Sequence, residues 1–236
     1  MFRTRMFALG MAAALVIATP SALLAQKDEK KRSKEEKAEI ETLVKLIDGV
    51  MAGQPGPTDI QMKLTPYFLK SQDPRTFVPF QLELTGAPNA DAALYVRVVD
   101  PSKPAPDLKK KEAYPWDDVH FIPAAKVGSR VDRVFMAAPG TYDVYIAMKE
   151  RTPNKAPKGA TFKTGVFKTS VTVPDLAAEL TTSSVIAAAE VNTLTAPLNA
   201  DEARERPFAF GAQEMIPSLD HKFKKSSELS VFFQVY

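Results

Sequence analysis

The alternation of apolar and polar residues through the middle of the chain predicts an all-β protein built as an antiparallel β-sandwich. Val78, Phe80, Leu82 and Leu84 alternate with Pro79, Gln81, Glu83 and Thr85, and Leu94, Val96 and Val98 alternate with Tyr95, Arg97 and Val99. A period of two is that of a half-buried strand. Turn chemistry separates such runs at Gly86-Ala87-Pro88-Asn89, at 101–115, at Pro139-Gly140 and at 153–159. Nineteen prolines against ten glycines, with plentiful Val, Phe and Thr, favour strands joined by proline-marked loops. The chain has no cysteine, so the fold must be held by its core and not by disulfides.

Residues 1–25 read as a secretory signal peptide: Arg3 and Arg5, an uncharged run over 6–19, then an exit ending Ala22-Leu23-Leu24-Ala25. That run of 14 residues is shorter than the ~20 a membrane span needs. Cleavage after Ala25 would leave an exported chain without a span, periplasmic or secreted. It would remove two arginines and no acid, taking the formal net charge from +3 to +1. A nearly neutral chain with interspersed signs lacks the basic stripe that nucleic-acid binding demands. Residues 26–55 form a charged segment in which Ile40, Leu43, Val44, Ile47, Val50 and Met51 make one helical stripe. Ser33 and Glu36 have capping-box spacing, and Gly53, Pro55 and Pro57 stop the pattern, so a helix is predicted over Lys34–Met51. Its stripe must be buried against its own domain or against a partner helix.

Residues 56–176 hold the sandwich. Further strands are predicted over 62–70, 119–122, 131–138, 142–149 and 162–173, which makes seven in about 115 residues. Tyr142, just past the Pro139-Gly140 turn and ahead of Val144, Ile146 and Met148, stands where an immunoglobulin-like sandwich carries its corner tyrosine. The other reading is an ordinary edge-strand tyrosine. Residues 177–206 read as a connector, in which 180–191 suits either a short strand or a frayed helix. In 207–236, Leu229, Val231, Phe233 and Val235 alternate as a strand with nothing beyond it. Together with a loose echo of Phe68-Leu69-Lys70-Ser71 in Phe223-Lys224-Lys225-Ser226, this predicts the opening hairpin of a second, truncated β domain.

No catalytic motif stands in the sequence. There is no Gly-x-Ser-x-Gly elbow, no Ser-x-x-Lys and no glycine-rich phosphate loop. The two histidines, His120 and His221, are too far apart in the chain for a zinc motif, and His120 is expected to face solvent from a short strand. Asp117 and Asp118 are adjacent strand residues, so they point to opposite faces and cannot converge on one substrate. No cofactor and no metal is expected. Trp116, Tyr114 and Tyr95 are the aromatics that could stack on a sugar, the alternative being that Trp116 anchors a loop on the core.

The segments Phe77-Val78-Pro79-Phe80, Leu94-Tyr95-Val96-Arg97, Trp116-Asp117-Asp118-Val119, Pro139-Gly140-Thr141-Tyr142-Asp143-Val144-Tyr145, Val173-Pro174-Asp175 and Glu228-Leu229-Ser230-Val231 resemble, in order, a group of secreted bacterial proteins with immunoglobulin-like sandwich segments. The resemblance spans most of 50–236. It implies a fold and carries no activity, because none is assigned to the group. The expectation is therefore an exported, non-catalytic module for interaction, adhesion or envelope structure, with a protein or glycan partner in the cell envelope. The alternative is a carbohydrate-binding module or the accessory domain of a secreted hydrolase.

Overall fold

The computed structural model describes residues 32–104, 114–153, 156, 159–177, 180–226 and 228–236. The expected signal peptide, residues 1–25, lies outside the described residues. Helix α1 spans Lys34–Met51 and starts as its spacing predicts: Ser33 Oγ accepts from the Glu36 N–H at 3.1 Å, and Glu36 Oε2 accepts from the Ser33 N–H at 3.0 Å. Two donors left over at the helix start are thereby satisfied within the motif.

The rest is mostly strand, in three antiparallel sheets. The first joins β1 (Gln61–Pro66), β2 (Leu69–Lys70), β3 (Thr76–Thr85) and β6 (Arg130–Ala137), with β3 in the centre. The second runs β5 (Trp116–Ile122), β4 (Ala92–Val99), β7 (Gly140–Glu150) and β8 (Thr164–Val173). Their facing sides make the main core, in which Val78, Phe80, Leu82, Leu94, Phe135, Val144, Ile146 and Met148 are fully buried. This is the sandwich that the alternation predicts.

One strand expected over 62–70 is divided into β1 and β2. Pro66 pairs with Phe80 and Leu69 with Phe77, so the register is continuous across the break. Tyr67 therefore stands opposite Pro79 and donates to its carbonyl at 2.8 Å. Proline has no N–H to return, and the ladder is interrupted there. Phe68 instead exchanges bonds with Ser184, donating to its Oγ at 2.9 Å and accepting from its N–H at 2.9 Å.

Both outer faces of the sandwich are covered. Helix α1 lies on the second sheet, with Leu43 and Ile47 against Ala93, Tyr95, Tyr145 and Ala147. Of the two destinations open to the stripe, its own domain takes it. The third sheet, β10 (Ala209–Phe210), β11 (Gln213–Pro217), β9 (Ile186–Thr193) and β12 (Ser230–Phe232), packs Ile186, Ala188, Phe208 and Met215 against Tyr67 and Leu69 of the first. Gln81 of β3 ties the layers together: its Oε1 accepts from the Tyr67 hydroxyl at 3.1 Å and its Nε2 donates to the Pro217 carbonyl at 3.2 Å.

Of the two alternatives for 180–191, a short strand or a frayed helix, the strand is found. Residues 177–206, read as a connector, contain β9, the strand that pairs with both β11 and β12, and a short helix α2 (Ala200–Glu205). The terminal strand is tied into the third sheet, where Ser230 pairs with Ala188 and Phe232 with Ile186. The Ala187-Ala188-Ala189 run gives β9 almost no apolar contrast, and its partners arrive from later in the chain, so alternation alone could not reveal it.

Candidate functional site

Strand β5 is an edge strand of the second sheet, and its two faces have different fates. Trp116 packs on the main core, and Ile122 is buried within it. Asp118 and His120 share that face by alternation. His120 is therefore no solvent-facing residue: its side chain is 12% exposed and its Nε2 is 3.6 Å from Asp118 Oδ2, too long for a hydrogen bond. Val119 and Phe121, on the opposite face, pack with the α1 cluster. Both faces of β5 are covered, and the pattern of residues 116–122 reads as well one way up as the other.

Arg133 of β6 occupies a core-facing position between Val131 and Phe135 and is 6% exposed. Its Nη1 donates to the Asp132 carbonyl at 2.6 Å, while its Nε is enclosed without an acceptor. Burial pushes the guanidinium below its ordinary range, opposed by the charges of Glu205, Asp132 and Asp118. Burial likewise raises Asp118, against the pull of Arg204. It pushes His120 down to about 3, with Arg133 and Arg204 acting in the same direction. Of these groups Arg133 borders a cavity of about 260 Å³, whose wall also includes Lys126, Arg130, Asp132, Glu205 and Arg206. At its rim Glu205 of helix α2 pairs with Lys126 at 2.6 Å. Among the described residues no group of three or more His, Asp or Glu side chains could hold a metal ion.

The aromatic residues considered for sugar stacking do not form a platform. Tyr95 is buried under α1 at 4% exposure, and its hydroxyl donates to Asp117 Oδ2 at 2.8 Å. Arg97 Nε donates to the same hydroxyl at 3.2 Å, Arg97 Nη1 pairs with Asp48 of α1 at 2.5 Å, and the guanidinium lies 4.3 Å from the centre of the Tyr114 ring. Tyr114 thus covers a buried cation. Trp116 is on the opposite, core side of the sheet. Helix α1, legible as a helix but not as the cover of Tyr95, is what removes the surface. The remaining singled-out tyrosine, Tyr142, donates its hydroxyl to the Ala138 carbonyl at 3.0 Å.

A second feature of the molecule is apolar. Leu229, Val231, Phe233 and Val235 are 55, 47, 52 and 62% exposed, and Val185, next to the start of β9, is 59% exposed. Strand β12 pairs with β9 on one side and forms an edge of the third sheet. No helix among the described residues is long and apolar enough to cross a membrane. No protein-family model, curated protein or solved structure matches the chain.

Proposed function

We propose that the protein is an exported, non-catalytic immunoglobulin-like module that binds a protein partner in the cell envelope through the apolar edge formed by β12. The observation that carries this reading is the exposed apolar row of Val231 in the edge strand β12 with Leu229, Phe233 and Val235 in the residues that flank it. Uncovered edges with apolar side chains invite pairing with another chain, and proteins usually blunt them with charge, proline or a cover. Strand addition to such an edge is a recurrent mode of recognition, in which the backbone supplies affinity and alternate side chains supply specificity.

Export rests on the charge and apolar pattern of residues 1–25. The immunoglobulin-like type is supported by the separation of β1, β2, β3 and β6 from β5, β4, β7 and β8, and by the Tyr142 bond at the turn between β6 and β7. The non-catalytic reading is supported by the state of His120. An imidazole held near 3 remains neutral through the physiological range, far from the value that suits proton transfer near neutral pH.

The test compares envelope proteins retained by the mature chain with those retained by a variant carrying Val231→Glu and Phe233→Glu. A photocrosslinker placed at position 233 identifies the contact. The expected result is one partner lost from the variant, at unchanged melting temperature, and crosslinked at 233. Equal recovery by both forms, or no crosslink at 233, overturns the reading.

A further inference from the structure

We propose that the occupant of the β12 edge is a second copy of this chain, paired antiparallel about a two-fold axis at Phe232. The inference rests on the reading of that edge as a contact surface and names what fills it. On the inner side of β12 the bonds to β9 fall to Ser230 and Phe232, because the Ala187 carbonyl opposite Val231 accepts instead from the Ser218 N–H at 2.9 Å. The residues after β12 keep the same phase. The Gln234 carbonyl accepts from the Ser183 N–H at 2.8 Å, and the Tyr236 N–H donates to the Thr181 carbonyl at 2.9 Å. Backbone groups of successive strand residues point to opposite edges, so Val231, Phe233 and Val235 turn theirs to the open side.

The exposed side chains of this edge are Leu229, Val231, Phe233 and Val235, and 229–236 carries no charged residue that would oppose a like strand. A two-fold antiparallel pair matches edge-facing residues with one another, and the register that sets Val231 against Phe233 of the second copy also sets Leu229 against Val235. In that register all four apolar side chains meet an apolar side chain, so the row is complementary to itself. The same register brings Glu228 opposite Tyr236 of the second copy. Lys70 Nζ lies 5.5 Å from the centre of the Tyr236 ring, whose hydroxyl accepts from the Lys70 N–H at 2.7 Å. Lys70 and Glu228 are both exposed, and neither has an ion pair among the described residues. Self-pairing gives each Glu228 a cation on the other copy, twice over by symmetry. That charge match selects a second copy over an unrelated strand.

The test measures the mass of the mature chain by sedimentation across a concentration series. The expected result is a shift from one chain to two as concentration rises, lost in the variant carrying Val231→Glu and Phe233→Glu. Glu228→Lys should weaken the dimer by about fivefold, and Lys70→Glu added to it should restore the affinity, because the pair is then reversed and not removed. Disulfide formation reads the register against a background of no native cysteine. A mixture of Val231→Cys and Phe233→Cys chains should form a linked dimer, and neither variant alone should, since Cα atoms more than about 7 Å apart cannot be bridged. A chain that stays monomeric while position 233 crosslinks to another envelope protein overturns self-pairing and leaves the edge reading standing. A monomer without that crosslink, or a dimer unaffected in the double glutamate variant, overturns both. Linkage by either cysteine variant alone, or a charge reversal that restores nothing, overturns the two-fold pairing at Phe232.

Discussion

The hydroxyl of Tyr142 donates to the carbonyl of Ala138 at 3.0 Å, across the turn that takes the chain from β6 in one sheet to β7 in the other. The ring itself is buried in the main core. Tyr142→Phe keeps the ring and loses the bond, and the Ala138 backbone, at an exposed position, can turn to water instead. A loss of about 0.5–1.5 kcal/mol is expected from urea unfolding. Tyr142→Ala removes the packing as well and should cost about 3–5 kcal/mol. Equal losses for the two variants would assign the whole effect to the hydroxyl.

The anchor of α1 is an ion pair with little access to water. Glu39 Oε2 lies 2.9 Å from Lys149 Nζ, and Oε1 accepts from the Thr152 N–H at 2.8 Å. Burial raises the Glu39 carboxyl, but the Thr152 N–H and the Lys149 ammonium outweigh it and leave the group below its usual 4.5. A carboxyl lowered in the folded state adds stability that is complete above the unfolded value and lost as pH falls through the folded one. Acidification below about 4.5 should therefore loosen α1 in the native protein. Glu39→Gln should lower stability at pH 7 by about 1–3 kcal/mol and flatten this acid limb. Hydrogen exchange in α1 between pH 6 and pH 3 measures it.

Close approach at one glycine holds the sandwich edge. A Cβ on Gly165 would come within 2.1 Å of the Ile60 carbonyl oxygen, where 57–60 runs beside β8 before the chain enters β1 in the other sheet. The obstacle is backbone, which cannot rotate away. Gly165→Ala should destabilise by about 1–3 kcal/mol, whereas Gly159→Ala, which meets no atom within 4 Å but sits at φ +84°, should cost only the milder strain of its turn. Thermal unfolding of both variants ranks them.

The sandwich was legible because its strands alternate cleanly: Val78 to Leu84 and Leu94 to Val98 face one core, and β6 repeats the pattern at Val131 and Phe135. The cover of the outer faces was not. Gln81 and Arg97 occupy polar positions in that alternation and are nevertheless buried, because the third sheet and α1 supply partners from distant parts of the chain. Arg133 is the sharper case. Alternation places it with Val131 and Phe135, and a cation on an otherwise apolar strand face is a signal, written in the amino-acid order itself, that points to the cavity.

His120 makes the buried polar cluster measurable by pH. Its imidazole is pushed down to about 3, first by burial and then by the nearby positive charge of Arg133, whereas an unfolded histidine has its value near 6.5. Between these values the unfolded chain takes up a proton that the folded chain refuses. Stability from the neutral imidazole is thus complete above 6.5 and is lost progressively as pH falls towards 3. At pH 5 the expected loss is about 1–2 kcal/mol. Replacing His120 by Gln, which cannot be protonated in this range, should remove that loss while leaving the alkaline side unchanged. The ring carbon protons of His120 should also show no titration between pH 8 and pH 5. A His120 midpoint near 6.5 would mean that the ring reaches water, and the acid limb of the Gln variant would then coincide with that of the native chain.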